Sequence, residues 1–277
     1  AVNSMVQGSE LKVNWSFSKL HYEKETILKL AKSFNENLES IISHCIEQKK
    51  TGEYFTPSDF GFGSEISYSE LDEFMEEPFN GNPRRKSVEG MYRLSGLQQG
   101  MLFHSLYDSA AGAYTEQMSC DLKSPDINFI RKSWEVIIKR HTILRSGFYS
   151  DKFSIPVQCV YNEVEMPVEI LDFSKMNSDA QSKAIKEFED TDRQKGFDFR
   201  NVPLMRLALI KLSKDRYKMI WTSHHILFDG WSLPVIMEEF LNTYELLVNG
   251  KEIEIKEEDK FEDYIRFTEQ IDKDEQE

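Results

Sequence analysis

The chain has 277 residues, with 34 Lys and Arg against 48 Asp and Glu, which gives a formal net charge of −14. This balance argues against nucleic acid as the main partner, because phosphate binding needs clustered basic residues and the only compact basic run is 84–86. With 40% hydrophobic residues and a mean hydropathy of −0.52, the composition fits neither a disordered chain nor a membrane protein. The first ten residues lack a secretory signal pattern, so we expect a cytoplasmic protein.

The cysteine pattern gives no sign of a disulfide framework or a metal site. Cys45, Cys120 and Cys159 are odd in number, lie far apart and form no CxxC pair. We predict three reduced thiols and no bound metal.

The N-terminal piece begins with a strand pattern and continues with a helix pattern. Apolar and polar residues alternate over 11–18, which is typical of a strand with one buried face. Over 25–48, apolar residues recur every three or four positions, the spacing of a long amphipathic helix. A strand and a helix do not make a stable domain alone, so this piece is expected to belong to something larger.

The composition changes after the long helix pattern. Residues 56 to about 94 combine turn formers, acidic residues and isolated aromatics, and only 67–75 resembles a short capped helix. We therefore predict a linker over 61–91, between a first segment, 1–60, and a second, 92–277. The basic run 84–86 is interpreted as a solvated part of that linker.

The second segment mixes helices and strands. We predict helices at 95–107, 126–141, 178–195 and 233–247. We predict strands at 114–122, 143–149, 156–161, 167–171, 204–212 and 216–223. Because the helices do not alternate strictly with single strands, we predict an α/β (α+β) sandwich with a mixed sheet covered by helices, rather than a doubly wound parallel sheet.

Two adjacent histidines, His224 and His225, stand where an apolar strand breaks into a loop ahead of Asp229 and Gly230. A histidine at such a place can take up and return a proton near neutral pH, which acyl transfer requires. Asp229 would orient the ring or anchor the loop, and Gly230 would permit a sharp turn with an unshielded N–H. The spacing alone leaves open a second interpretation, a buried histidine pair hydrogen-bonded to the core.

The other four histidines are interpreted as structural. His21 and His44 flank the first helix and are expected at the surface. His104 and His141 lie at predicted helix ends, where a positive charge favours the helix dipole.

The stretch HHILFDGWS (224–232) resembles the HHxxxDG motif of nonribosomal peptide synthetase condensation domains, which have a chloramphenicol-acetyltransferase-like fold. Three further stretches match motifs of that family in the same order: SGLQQGMLFH (95–104), RHTILRSGF (140–148) and FDFRNVPLMR (197–206). The resemblance implies that His225 is catalytic, with His224 beside it and the backbone near Gly230 close to the developing oxyanion.

The resemblance also gives Asp229 a structural role. It implies a salt bridge from Asp229 to an arginine of the RHTILR segment, either Arg140 or Arg145, and we favour Arg140. Loss of one half of a buried ion pair would destabilise the fold without touching the chemistry.

The subtype is also suggested by resemblance. LQQGMLFH and the YTEQ at 114–117 resemble condensation domains that accept a D-configured donor, whereas HHxxxDG differs from the DxxxxD of heterocyclization domains. Residues 8–60, with SHC at 43–45 and TPSDF at 56–60, resemble the end of an epimerization domain, which would supply D-residues.

The family implies substrates carried as thioesters on the phosphopantetheine arms of upstream and downstream carrier domains, with no bound cofactor. On this interpretation the chain ends after the first of two lobes, so we expect little or no activity from it alone, and dimerisation through the uncovered lobe face. Two alternatives remain: a coenzyme-A-dependent acyltransferase with an HxxxD motif, and a non-catalytic fragment that docks neighbouring domains.

Overall fold

The structure is a computed structural model that describes residues 1–8, 10–51, 54–107, 114–253 and 260–274. Its contacts divide the chain into two compact units, Ala1–Tyr54 and Phe55–Glu277. Among the described residues, no helix combines the length and the apolar character needed to cross a membrane.

The first unit is a hairpin followed by one long helix. Strands β1 (Val2–Gln7) and β2 (Glu10–Trp15) pair in antiparallel fashion, and helix α1 spans Lys24–Thr51. The Trp15 ring packs edge-on against Phe34 of α1, with centroids 5.9 Å apart. Much of the apolar side of α1 is nevertheless exposed: Leu28, Leu30, Phe34, Ile41, Ile42 and Ile46.

The second unit holds the remaining elements. Its helices are α2 (Tyr68–Glu76), α3 (Gly96–Tyr107), α4 (Ile127–Arg140), α5 (Ser178–Lys195), α6 (Ser232–Val248) and α7 (Phe261–Asp274). Its strands are β3 (Pro78–Phe79), β4 (Asn82–Pro83), β5 (Val88–Arg93), β6 (Thr115–Lys123), β7 (Ser146–Tyr149), β8 (Val157–Tyr161), β9 (Val168–Asp172), β10 (Met205–Lys211) and β11 (Arg216–His224). Short 3₁₀ turns lie at Pro57–Phe60, Arg84–Lys86 and Thr142–Arg145.

The main sheet has the order β6-β11-β10-β9 within the described residues. β9 and β10 are parallel and the other pairs antiparallel, so the sheet is mixed. One face packs on α4 and α6 in a core that includes Trp134, Trp221 and Phe240. The other face, with Ala208 and Ile220, packs on α5. The predicted mixed sheet covered by helices is confirmed.

Helix boundaries follow local capping as the sequence indicates. Ser67 and Glu70 form a reciprocal capping box at the start of α2. Ser95 and Gln98 exchange the same pair of hydrogen bonds, at 3.0 and 3.2 Å, where α3 begins. Asp126 accepts hydrogen bonds from Asn128 and Phe129 to cap α4.

Residues 55–91 fold as part of the second unit, whereas the composition predicted a linker over 61–91. The strand order β5-β8-β7 places β5 at the edge of a second, antiparallel sheet. Phe62, Leu71 and Phe74 are buried against Tyr149 and other residues of that sheet. The isolated aromatic residues of this polar stretch are therefore core residues that pack on the second sheet, and the stretch is not a solvated linker.

The prediction of a solvated basic run is wrong for Arg84. Its side chain is buried, its guanidinium lies 4.0 Å from the centre of the Phe74 ring, and Nη1 donates to Glu77 at 2.9 Å. A guanidinium can be buried when an aromatic face and a carboxylate together replace water.

A buried polar network holds the end of β11 against α5. Asp192 of α5 is 3% exposed; it accepts from Arg206 Nε and Thr222 Oγ1, both at 2.6 Å, and from Gln117 Nε2 at 3.1 Å. Burial alone would raise the pKa of Asp192, but hydrogen bonds from Arg206 and Thr222 outweigh it and lower that pKa. The network fixes β6, β10 and β11 just before the paired histidines.

Candidate active site

The two adjacent histidines point to opposite sides of the main sheet. His224 is the last residue of β11 and pairs with Thr115 of β6, while the His225 amide donates to the Tyr114 carbonyl at 2.8 Å. The ladder therefore continues through both histidines, and side chains alternate along it. His224 is 2% exposed, whereas the His225 side chain is 27% exposed.

His224 is held as a neutral ring inside the core. Its Nδ1 accepts a hydrogen bond from the Ile226 amide at 3.1 Å, and Nε2 lies 3.4 Å from Ser105 Oγ. The Phe199 ring packs edge-on against it at 4.9 Å. Because Nδ1 is an acceptor, the proton sits on Nε2. Burial, with a smaller contribution from His225, lowers the pKa of His224 to about 4.

This depressed pKa predicts acid sensitivity. Since the unfolded ring titrates near pH 6.5, the unfolded state takes up the proton first, and stability falls as the pH drops from about 6.5 towards 4. We expect His224 to lower the free energy of unfolding by about 2 kcal/mol between pH 7 and pH 5. Urea unfolding of the chain and of His224→Asn at both pH values measures it; equal pH dependence in the two proteins would contradict the assignment.

His225 lines a cleft of about 930 Å³ beside the sheet. The cleft is bounded by the loop after β11, the start of α3, the turn after α4, and parts of α6 and α7. Nδ1 of His225 is enclosed and makes no hydrogen bond among the described residues. Nε2 is not enclosed in this way, so it is the nitrogen left to meet a molecule in the cleft.

A buried amide fixes the loop that carries His225. Gln98 of α3 is 5% exposed and donates through Nε2 to the Ile226 carbonyl at 3.3 Å and to Gln158 at 3.2 Å. Gln98, the first glutamine of the LQQG stretch, thus links α3 to the backbone one residue after His225. Satisfied buried polar groups of this kind hold a loop in one arrangement.

Among the described residues, the predicted salt bridge from Asp229 to Arg140 or Arg145 is not present. Asp229 is exposed, and its Oδ1 accepts from the Ser232 amide at 2.9 Å and from Ser232 Oγ at 2.7 Å. These hydrogen bonds lower the pKa of Asp229. An aspartate three residues before the first amide of a helix can accept a hydrogen bond from that amide while it stays exposed, so no charge has to be buried. Of the two sequence interpretations of Asp229, the contacts favour that of a loop anchor.

The two arginines of the RHTILR segment find other partners. Arg140 Nη1 donates to Glu239 of α6 at 3.0 Å, and the same carboxylate lies 2.7 Å from His141 Nε2. Arg145 is buried; it pairs with Glu89 and donates to the Tyr161 carbonyl at 2.7 Å. Among the described residues, no ion pair within 4 Å joins Asp229 to either arginine. These contacts join Arg140 to α6 and Arg145 to the second sheet.

Gly230 lies near the histidines but lines a different cavity. It borders a neighbouring pocket of about 390 Å³ together with Glu116 and Ser223. A Cβ at this position would meet nothing within 4 Å, and Gly230 has no left-handed backbone angle. The expected need for glycine in a sharp turn is therefore not supported by its geometry.

The site also contains a residue that sequence reasoning did not single out. Glu116 of β6 places Oε1 3.3 Å from Nδ1 of His225. The sequence signal was present in the YTEQ stretch, but the pairing register of β6 with β11 is needed to bring Glu116 beside the histidine.

Solved condensation domains share this fold. The starter condensation domain of rhizomide synthetase RzmA superimposes with a TM-score of 0.56 at 20% identity, over 66% of this chain and 45% of that one. The condensation-domain family model matches residues 88–277. The chain belongs to the condensation-domain family.

Curated relatives extend the similarity to the first unit. One component of the linear gramicidin synthase of Brevibacillus parabrevis is 34% identical over 271 residues, which is 98% of this chain and 3% of that protein. Bacitracin synthase 1 of Bacillus licheniformis is 35% identical over 277 residues, 99% of this chain and 5% of that protein. The chain therefore spans only a small part of the synthases that it resembles.

Proposed function

We propose that this chain contributes the histidine-bearing lobe of a condensation domain that forms a peptide bond between two carrier-bound substrates. The placement of His225 carries the proposal. It follows a buried strand, lines the large cleft, and lies within the segment matched by the family model. A rigid sheet then holds the backbone while the ring meets the substrate.

The reaction is acyl transfer from a thioester to an amine. The acceptor amine attacks the donor carbonyl carbon, a C–N bond forms, the C–S bond breaks, and the sulfur leaves as the thiol of the donor's phosphopantetheine arm. A proton leaves the amine nitrogen, and a proton reaches the sulfur. His225 accepts the first proton or holds the amine in line for attack. The Gly230 amide borders the neighbouring pocket and donates no hydrogen bond among the described residues, so we propose that it is available to a developing oxyanion that extends there.

Activity is proposed to need the rest of the domain. This chain covers 45% of the solved starter condensation domain, and in the family the substrate tunnel is built by two lobes. Apolar side chains at the cleft stand exposed here: Leu97, Trp231, Val235 and Tyr264. We expect the second lobe to cover them, and the isolated chain to self-associate through them, which sedimentation at several concentrations would reveal.

The donor is proposed to end in a D-residue. The LQQGMLFH and YTEQ stretches support this, and in the structure each contributes to the site, Gln98 through the loop and Glu116 through its position beside His225. Carrier domains upstream and downstream would present the two thioesters.

The test uses the chain extended through the second lobe. A donor carrier bearing a D-ended or an L-ended peptidyl thioester is mixed with an L-aminoacyl acceptor carrier, and the amide product is followed by intact mass. Product from the D donor only is expected. Equal use of both donors contradicts the stereochemical proposal, while transfer from a coenzyme A thioester without carriers would favour the rival acyltransferase.

The first segment, 1–60, is proposed to be the end of an upstream epimerization domain. The exposed apolar side of α1 and the continuous match to synthases over 98% of the chain support this. The structural boundary at 54–55 lies six residues before the predicted one. If α1 packs on the upstream domain, fusion of that domain should slow thiol labelling of Cys45 relative to Cys120, because Cys45 is exposed on α1. Unchanged Cys45 labelling would contradict the assignment.

A non-catalytic docking role is the second candidate. Separately made 1–54 and 55–277 pieces, cut at the boundary between units, test it by coelution. Coelution would support docking of the first unit on the lobe, and independent elution would argue against it.

A further inference from the structure

We propose that Glu116 is the positioning residue of His225, which fixes the ring tautomer and stabilises the ring when it carries a proton. This inference rests on the proposed catalytic role of His225. It assigns a function to a carboxylate on a neighbouring strand, outside the HHxxxDG loop.

The strand register explains why these two residues meet. Glu116 lies directly opposite Ser223 in the antiparallel β6–β11 pair. Ser223 and His225 are two residues apart, so their side chains share one face of the ladder. Diagonal neighbours on one face are within reach of long side chains. A glutamate at 116 therefore faces the histidine at 225 and not the one at 224.

The geometry at the ring fits a carboxylate partner. Glu116 Oε1 lies 3.3 Å from the enclosed Nδ1, with an alignment outside that of a hydrogen bond. Catalytic hydrogen bonds are often long in a structure without substrate and shorten when it binds. An enclosed ring nitrogen without a hydrogen bond is costly, and Glu116 is the acceptor placed to satisfy it.

Other charged groups around the cleft are already engaged. Asp229 interacts electrostatically with His225, but its carboxylate is bonded to Ser232. The other titratable groups on the described walls are Arg93, His141, Tyr264 and Glu269. Arg93 pairs with Glu269 at 2.8 Å, and His141 lies 2.7 Å from Glu239 of α6. His224 faces the opposite side of the sheet as a buried neutral ring.

The chemistry follows from which nitrogen carries the proton. A carboxylate beside Nδ1 favours the tautomer protonated there, which leaves the Nε2 lone pair directed at the acceptor amine. When Nε2 takes the amine proton, the ring becomes positive and the carboxylate stabilises it. Return of that proton to the departing sulfur restores the neutral ring.

The test compares Glu116→Gln with the parent in the chain extended through the second lobe. The substitution keeps the shape of the side chain but removes its charge. We expect kcat to fall about tenfold to a hundredfold with little change in KM, since substrate binding does not use Glu116. We also expect the acid limb of the pH–rate profile to differ from that of the parent, because the ring loses a nearby negative charge.

Asp121→Asn is the matched control. Asp121 lies on the same strand, about 17 Å from Glu116, and its exposed carboxylate pairs with Lys218 at 3.3 Å. The Asp121→Asn substitution removes the same charge as Glu116→Gln and should leave the rate and the pH–rate profile unchanged. If the two variants behave alike, the proposed role of Glu116 is wrong.

Ring NMR of the isolated chain separates this inference from the proposed function. Nitrogen shifts should show the Nδ1-protonated tautomer of His225, and Glu116→Gln should reduce the fraction of that tautomer. If His225→Ala abolishes product while Glu116→Gln changes neither the rate nor the tautomer, the positioning role is refuted and the catalytic role stands. If His225→Ala leaves product formation intact, the proposed function fails, even where the NMR shows the pair.

Discussion

Replacement of His225 by alanine should reduce peptide-bond formation by the extended domain about 10²- to 10⁴-fold, the range typical of a lost proton-transfer residue. The reason is positional: the ring borders the cleft with Nε2 unenclosed, while the backbone is held in the sheet ladder by the Tyr114 carbonyl. Single-turnover formation of the amide product, followed by intact mass, measures the loss.

The same substitution should leave the fold almost unchanged. The His225 side chain is 27% exposed and its ring makes no hydrogen bond among the described residues, so the urea midpoint should stay close to that of the parent. His104→Ala, in α3, is the matched control, because His104 is exposed and does not line the cleft. Undiminished product from a folded His225→Ala protein would show that the catalytic role has been misplaced.

A second variant distinguishes the two roles left open for His225. His225→Gln keeps a polar group that can hold the amine but removes the titrating ring. If the ring is a general base, His225→Gln should be as slow as His225→Ala and should lose the acid limb of the pH–rate profile. Substantial activity in His225→Gln would favour the positioning role.

The largest loss of stability is expected from Asp192→Ala. Asp192 is 3% exposed, and its removal leaves the mostly buried guanidinium of Arg206 without its carboxylate and Thr222 without its acceptor. Removal of one partner from a buried ion pair costs about 3 to 5 kcal/mol of unfolding free energy. Urea unfolding of the chain, followed by far-UV circular dichroism, measures the change.

Asp151→Ala provides the comparison. Asp151 pairs with Arg200 at 2.6 Å, but both side chains are about half exposed. Exposed pairs contribute about 0 to 1 kcal/mol, so this variant should unfold close to the parent. Equal destabilisation by the two substitutions would mean that the Asp192 network does not hold the end of β11.

Periodicity was enough to predict most elements of the second unit. The helix predicted at 178–195 has those bounds in the structure, and β8 to β11 each begin within one residue of the prediction. These elements bury one face in a core, so their sequence carries the period of that face. By contrast, β1 was not predicted because all six of its residues are exposed, which removes the alternation.

β5 and α7 were not predicted either, each for a different reason. β5 contains a register irregularity between Val88 and Gly90, which breaks the strand pattern within a turn-rich stretch. α7 is rich in charged residues, and among its described side chains Ile265 is the buried anchor of a small cluster with Tyr92 and Val160. A single buried residue produces no repeating pattern of apolar positions from which a helix could be predicted.

The location of the candidate site could be predicted from the sequence, but the orientation and the partners of its side chains could not. The HHxxxDG motif located the histidines, yet which of them faces the cleft depends on the pairing of β11 with β6. The expected Asp229 salt bridge is not seen among the described residues, where Ser232, three residues later, is the hydrogen-bond donor to that carboxylate. Long-range partners such as Glu239 for Arg140, on α6, leave no local signal.

Because side chains alternate at the end of β11, the face that each histidine occupies depends on whether the number of residues in the strand changes by an odd or an even number. Because neighbouring side chains face opposite sides of the sheet, loss of one residue from β11 would shift the pattern by one. It would place the cleft histidine in the core pocket beside Phe199 and move the core histidine to the position of Ser223, on the opposite face of the sheet. Loss of two residues would keep each ring on its own side and shorten the strand. Insertions or deletions of an even number of residues here should therefore leave each ring on its own face of the sheet, whereas an odd number should exchange the two faces.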